Sequence, residues 1–217
     1  MNRKAPRDQQ PTPLLDLMNA PTPGIERLRS LLSWKLLAGW HKFPGPDGGT
    51  CLVEAAIVVA GLPYRRVEKI RDIPSDNISW VVAYYLLQIN DAVPEEPRQR
   101  LIPFVTKLAG SAAGPAEAKR IDYLVAATRE QLGWWRVPLA PDAHPIERVA
   151  WAGDAVVWAW RGLKSTEEAV GILERAIKIA HEALRIGKDP QPVDPLMALA
   201  RLESARLQPP RRRLSVA

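Results

Sequence analysis

A chain of 217 residues with 47% hydrophobic and 25% charged side chains has an ordinary globular composition and the length for one core, which excludes collagen-like, mucin-like and wholly disordered chains. The formal net charge of +6 is uneven: residues 1–24 carry +1, residues 188–217 carry +3, and the 163 residues between them only +2. A single cysteine excludes an intrachain disulfide and a Cys-rich zinc site, and 21 prolines, about twice the usual share, point to many short elements.

The opening MNRKAPRDQQPTP has charge but no apolar run behind it, so it does not read as a secretory signal. Residues 1–24 are expected to form a disordered arm with one apolar patch, Leu14, Leu15, Leu17 and Met18. A helical domain is expected over 25–187, in a half spanning 25–110 and a long-helix half spanning 115–187, with a short helix and basic tail over 188–217. From 25 to 40, Ile25, Leu28, Leu31, Leu32, Leu36 and Leu37 recur at helical spacing, and Gly39 helps to end the run. The loop HKFPGPDGGT separates this helix from a second over 51–60, with Thr50 as N-cap and Gly61 as stop. Residues 62–76, with Pro63, Pro74 and many charges, read as an extended connector.

Residues 79–91 are mostly apolar, and the unbroken length of VVAYYLLQI without a partner strand favours a buried helix. A helix over 97–109 places Leu101, Phe104, Val105 and Leu108 on one face, with Pro103 kinking or splitting it. Helices over 116–132 and 146–160 follow, the latter led by Pro145 and closed by Gly162. Ser165 and Glu168 form a capping box before the most regular helix of the chain. Its two stripes, Val170, Leu173, Ile177, Ala180, Leu184 and Ala169, Ile172, Ala176, Ile179, Ala183, Ile186, predict a broad apolar face packed on two neighbours. Glu174 and Lys178 form an i,i+4 pair on the polar side, Gly187 ends the element, and a last helix runs over 195–207. No apolar stretch approaches the roughly 20 residues that span a bilayer. The expected fold is all-α, a compact bundle of seven or eight helices with flexible N- and C-terminal tails.

Chemistry concentrates in HKFPGPDGGTCLVE. A thiol at Cys51, at a helix start, feels the positive helix end and nearby N–H groups, which favour a thiolate. If the loop folds back, His41 as base with Asp47 or Asp91 as its orienting group would complete a thiol-dependent site. The competing reading is that Cys51, at the head of CLVEAAIVVAG, is core filler. The glycines lack the Lys-Ser/Thr of a phosphate-binding loop. His41, His144 and His181 stand far apart, so no metal or other cofactor is expected. Asp154, set between Trp151 and Trp158, is expected to pair with an arginine such as Arg120 or Arg148, or else to face a ligand. Trp134, Trp135, Trp151, Trp158 and Trp160 form an aromatic concentration of the kind found in cores and at protein contact surfaces.

The runs GGTCLVEAAIVVAGLP and INDAVPEEPRQRLIPFVTKLAG resemble a bacterial family of uncharacterised helical proteins with the pattern GGxCxxEAxxxxAG, then ND, an acidic turn, RxxLxP and LxG, over residues 40–110. Gly48, Gly49, Cys51, Glu54, Ala55, Gly61, Asn90, Asp91, Arg98 or Arg100, Leu101, Pro103 and Gly110 match it; the connector cysteine of the pattern is missing where Ile73 stands. The resemblance implies a bacterial or phage origin and one helical module, and implies no reaction. If these motifs form one unit, Glu54, Asn90, Asp91, Arg98 and Arg100 converge at a helix end, with Glu54 and Asp91 paired to Arg98 or Arg100, as a clamp holding two helix pairs in register. The reading of function is a non-enzymatic, cytoplasmic protein-interaction or regulatory module, of phage or mobile-element kind, whose surface is the tryptophans with Arg211, Arg212 and Arg213. It implies a protein partner and no membrane. The alternatives are a thiol-dependent enzyme using Cys51 and a weak nucleic-acid binder attracted through the basic tail.

Overall fold

A computed structural model of the chain describes residues 35–41, 49–132, 138–163, 165–187 and 194–207. Among the described residues are eight α-helices: α1 (Leu52–Val59), α2 (Trp80–Ala92), α3 (Glu95–Arg98), α4 (Pro103–Leu108), α5 (Ala116–Leu132), α6 (Pro145–Arg161), α7 (Thr166–Arg185) and α8 (Pro195–Leu207). The expected all-α bundle is observed. The apolar run of α1 explains its place: all eight residues are buried, so burial, rather than the weak helix propensity of its Val and Ile residues, holds it helical. It lies between α4, α8 and α2, and it ends at Gly61, whose φ of 80° lies in the region glycine enters freely. Its N-cap is Cys51, one residue beyond the expected Thr50.

Ser79 caps α2 by accepting from the Val82 N–H at 3.3 Å. The element expected over 97–109 is divided into α3, a 3₁₀ turn over Gln99–Leu101, and α4, with Pro103 at the start of α4, where its missing N–H is no loss. The connector contains a 3₁₀ turn at Ile70–Asp72, closed by Asp72 accepting from the Glu68 and Lys69 N–H groups at 3.0 and 2.8 Å.

The second half packs α6 against α2, α5 and α7, while α7 also touches α2 and α5. The broad stripe of α7 is buried at Ile172, Leu173, Ala176, Ile179, Ala180, Ala183 and Leu184, and it meets three neighbours where two were expected. Its small alanines admit that third helix. Ser165 caps it, accepting from the Glu168 N–H at 3.2 Å, but the expected capping box is only half made, because the Glu168 carboxylate takes the Ser165 hydroxyl at 3.1 Å in place of the Ser165 N–H. Glu174 turns away from the expected Lys178 pairing and takes Arg100 at 3.1 Å. The last helix is no appendage: α8 buries Ala198, Leu199 and Leu202, and Arg201 donates to the carbonyl oxygen of Val59 at the end of α1. One apolar cluster runs from Leu36 through α1 and α2 to Leu202.

A correction falls at the N-terminal side. Of the helix expected over 25–40, residues 25–34 lie outside the described residues, and 35–41 are extended, with a parallel bridge between Leu36 and Thr50. The leucine spacing fits a helix. Distant groups nonetheless offer this backbone better partners than its own turn, and Gly49 lets it run so close to the Lys35 carbonyl that a side chain at 49 would collide with it.

Candidate functional site

Residues 35–41 form a strap across the start of α1, and the cluster expected from the sequence is what holds it. Leu36 donates its N–H to Gln99 Oε1 at 2.9 Å, and its carbonyl accepts from Gln99 Nε2 at 3.1 Å and Arg98 Nη1 at 3.4 Å. Asn90 Nδ2 donates to the Leu37 carbonyl at 2.9 Å and to Asp91 Oδ1 at 2.8 Å, and Asp91 Oδ1 accepts from the Gly39 N–H at 2.8 Å. Thr50 completes the ladder: its carbonyl accepts from the Leu37 N–H at 3.1 Å and its N–H donates to the Lys35 carbonyl at 3.4 Å. Every one of these bonds reaches strap backbone or orders a group that does.

Glu54 closes the other end. It is fully buried, and its carboxylate accepts from the Thr50 hydroxyl at 2.6 Å, the Val67 N–H at 3.2 Å, the Cys51 N–H at 3.4 Å and the His41 N–H at 3.5 Å. These donors take the place of the arginine expected beside it. Arg98 spends its guanidinium on backbone carbonyls instead, on Asn90 at 2.7 Å and Val93 at 2.7 Å as well as Leu36. Arg100 lies outside the cluster, in a solvent-exposed ion pair with Glu174. The clamp therefore holds an extended segment to α1, α2 and α3, and not two helix pairs in register: free carbonyls of the strap and of the α2 end take the donors that a carboxylate pairing would have used.

Cys51 sits fully buried inside this frame, its Sγ accepting from the Glu54 N–H at 3.5 Å. Burial pushes the thiol pKa up well above its ordinary value, and the Glu54 carboxylate pushes the same way; the N–H bonds at the helix start pull down but lose. Of the favourable effects expected from the sequence, the N–H groups of Glu54 and Val53 do act on the thiol, and they are outweighed. His41, half-buried, turns its Nε2 to the Ala38 carbonyl at 2.9 Å, while Tyr64 donates its hydroxyl to the His41 carbonyl. Asp91 is committed to the strap, and Asp47 lies outside the described residues. Cys51, His41 and Asp91 thus serve the strap's hydrogen bonding and α1's cap in this conformation.

The expected arginine partners of Asp154 are elsewhere: Arg148 pairs with Asp122 at 2.7 Å and Arg120 with Glu117 at 2.6 Å. Asp154 is exposed on α6 facing Gln88 of α2, and desolvation raises its carboxyl pKa while Arg161 counters. Of the tryptophans, Trp151 is buried at 8% exposure beneath Arg129, whose guanidinium lies 5.2 Å from the ring centre, so it belongs to the core and not to a surface. Trp160 is half-buried, and Trp158 is 58% exposed. Trp134, Trp135, Arg211, Arg212 and Arg213 lie outside the described residues.

A second polar cluster was not anticipated. Arg120, fully buried in α5, donates to the Ser111 carbonyl at 2.8 Å, Glu117 at 2.6 Å, the Ile186 carbonyl at 3.2 Å and the Leu184 carbonyl at 3.3 Å, so it satisfies the C-terminal end of α7. Glu117 in turn accepts from the Ser79 hydroxyl at 2.8 Å and the Val81 N–H at 3.3 Å at the start of α2. One signal for it was available: Arg120, Leu124 and Thr128 follow each other at i, i+4, i+8 on one face, and all three are buried. Among the described residues no group of three metal-ligating side chains gathers, and no helix is long and apolar enough to cross a membrane.

Fold and clusters together define an all-α bundle in which an extended strap is bolted over a wholly buried helix. Comparison of the chain with protein-family models, with curated proteins and with solved structures returns no match.

Proposed function

We propose that this protein works in the cytoplasm as a non-enzymatic interaction or regulatory module, in the phage or mobile-element setting its sequence resembles, and binds a protein partner through the outer side of α6. The observation that carries the reading is Trp158, 58% exposed on a helix whose other faces are anchored to α2, α5 and α7. A tryptophan left in water on a rigid helix is an anchor in waiting, because covering it gains apolar burial with little ordering cost. Ile146, 37% exposed, and the half-buried Val157 lie elsewhere round the same helix, and the half-buried Trp160 packs against the core, so Trp158 stands as the anchor by itself. The Arg211, Arg212 and Arg213 run adds attraction for an acidic partner. The rival thiol chemistry is disfavoured by the burial and raised pKa of Cys51.

The test is a photo-crosslinking residue placed at position 158 in the full chain, with a matched one at the exposed Glu130 position as control. The expected outcome is one stoichiometric adduct from position 158 only, and a Trp158→Ala variant with unchanged melting temperature but partner affinity lowered by about tenfold or more. Equal partner retention by Trp158→Ala overturns the reading. Binding to RNA or DNA that falls steeply with salt points instead to the nucleic-acid reading.

A further inference from the structure

The two halves of the bundle meet chiefly through α2, which packs on α6, α5 and α7; a second, smaller seam is made by side chains alone, between α7 and the segment formed by α4 and the 3₁₀ turn before it. Two side-chain pairs cross it at matched positions. Arg100, on the 3₁₀ turn before α4, meets Glu174 at 3.1 Å; seven residues further along both segments, Lys107 Nζ stands 3.0 Å from each ring nitrogen of His181. Phe104 sits on the same seam, its ring centre 4.6 Å from that of His181 at a 45° tilt. The Arg100–Glu174 pair is solvent-exposed on both sides and holds little. Lys107 and His181 are half-buried, so their contact carries the polar part of the seam.

That contact depends on protonation. A lysine ammonium has donors only, and an imidazole accepts only when one ring nitrogen carries no proton. A protonated His181 would place a second cation 3.0 Å from the first. The charged groups that act on the ring are Lys107 from α4 and Glu182 on α7 itself; from α5, Tyr123 interacts with Glu182, and its hydroxyl is kept protonated by burial first and then by Glu182. Glu182 favours the protonated ring; burial first, then Lys107, oppose it and prevail.

We propose that Lys107 and His181 form a pH-sensitive latch, which holds α4 against α7 while the imidazole is neutral and releases it when the imidazole takes a proton. The sign follows from linkage: His181 binds its proton less readily in the folded protein than in the unfolded chain, whose histidine reference is about 6.5. The latch's contribution is complete above that pH and is lost as pH falls from it towards the folded value.

The experiment is NMR titration of the histidine ring protons in the full chain, feasible because there are three histidines, together with amide exchange of α4 at pH 7.5 and 5.5 after correction for intrinsic rates. The expected result is a His181 midpoint below about 6.5, a rise of that midpoint in Lys107→Met, and α4 protection several-fold weaker at the lower pH. In His181→Gln, whose amide oxygen accepts from Lys107 at any pH, this loss of protection disappears. A His181 midpoint at or above 6.5 overturns the latch, as does α4 protection that falls equally in His181→Gln. The wild-type titration and His181→Gln decide the matter even where Lys107→Met does not fold.

Discussion

Glu54, Arg98 and Arg120 are the charged side chains buried most deeply among the described residues, and each is satisfied mainly by backbone groups. Such burial costs desolvation, repaid only where hydrogen bonds take up the whole charged group. Arg120 shows the case most plainly, since three carbonyls and Glu117 surround its guanidinium. Arg120→Met removes the donors, leaving the carbonyls of Ser111, Leu184 and Ile186 and the Glu117 carboxylate without them. The expected loss is about 3–5 kcal/mol, seen as a melting temperature lower by about 10 °C in thermal denaturation. Glu54 and Arg98 were legible as members of one polar cluster because the resemblance joins the motifs GGxCxxEA and ND…RxR, in which they stand, into one unit. Arg120 had only its alignment with Leu124 and Thr128 to mark it as inward-facing, and an arginine in a charged stretch such as AEAKRID still looks solvated until α7 is seen to end over it.

At the scale of elements, local signals served wherever a helix satisfies its own backbone. The cap at Ser165, the proline at the head of α6 and the stripe of α7 all describe bonds or faces within a few residues, and the observed elements lie where these signals put them. The exceptions are the strap, whose partners are remote, and α8, whose role depends on what it covers. Because α8 places Ala198 and Leu202 in the apolar cluster around an α1 with no exposed face of its own, and buries Leu199 as well, it belongs to the core. Ending the chain at residue 187 removes two buried leucines, worth about 3–6 kcal/mol, and bares the apolar side of α1. The truncated chain is expected to melt at least about 10 °C lower than the full chain and to aggregate at concentrations where the full chain stays monodisperse, as circular dichroism and light scattering will register.

For the whole molecule, the continuity of one apolar cluster through both halves predicts a single cooperative transition. Cys51 is a built-in reporter of it, since the thiol is fully buried under the strap. Its alkylation under native conditions should require global opening, so the opening free energy from alkylation rates should equal the unfolding free energy from urea denaturation followed by circular dichroism. Alkylation that is faster than this predicts would mean that the strap lifts by itself. The latch is the complementary statement about the other seam, where a proton and not a reagent tests how firmly the halves are joined.

Sequence by itself determined that the chain is helical and where most helices begin and end, because periodicity, caps and breakers act within one or two turns. It also singled out Glu54, Asn90, Asp91, Arg98 and Arg100 as a set, of which the structure keeps all but Arg100. Only the tertiary structure decided what that set holds. The strap's hydrogen bonds join residues 52, 53, 62 and 63 positions apart, and those of Arg120 to the end of α7 span 64 and 66. No local pattern encodes a carbonyl that remote. Between a helix and an extended strap over 35–41, the choice fell to whichever arrangement left fewer buried backbone groups without a partner.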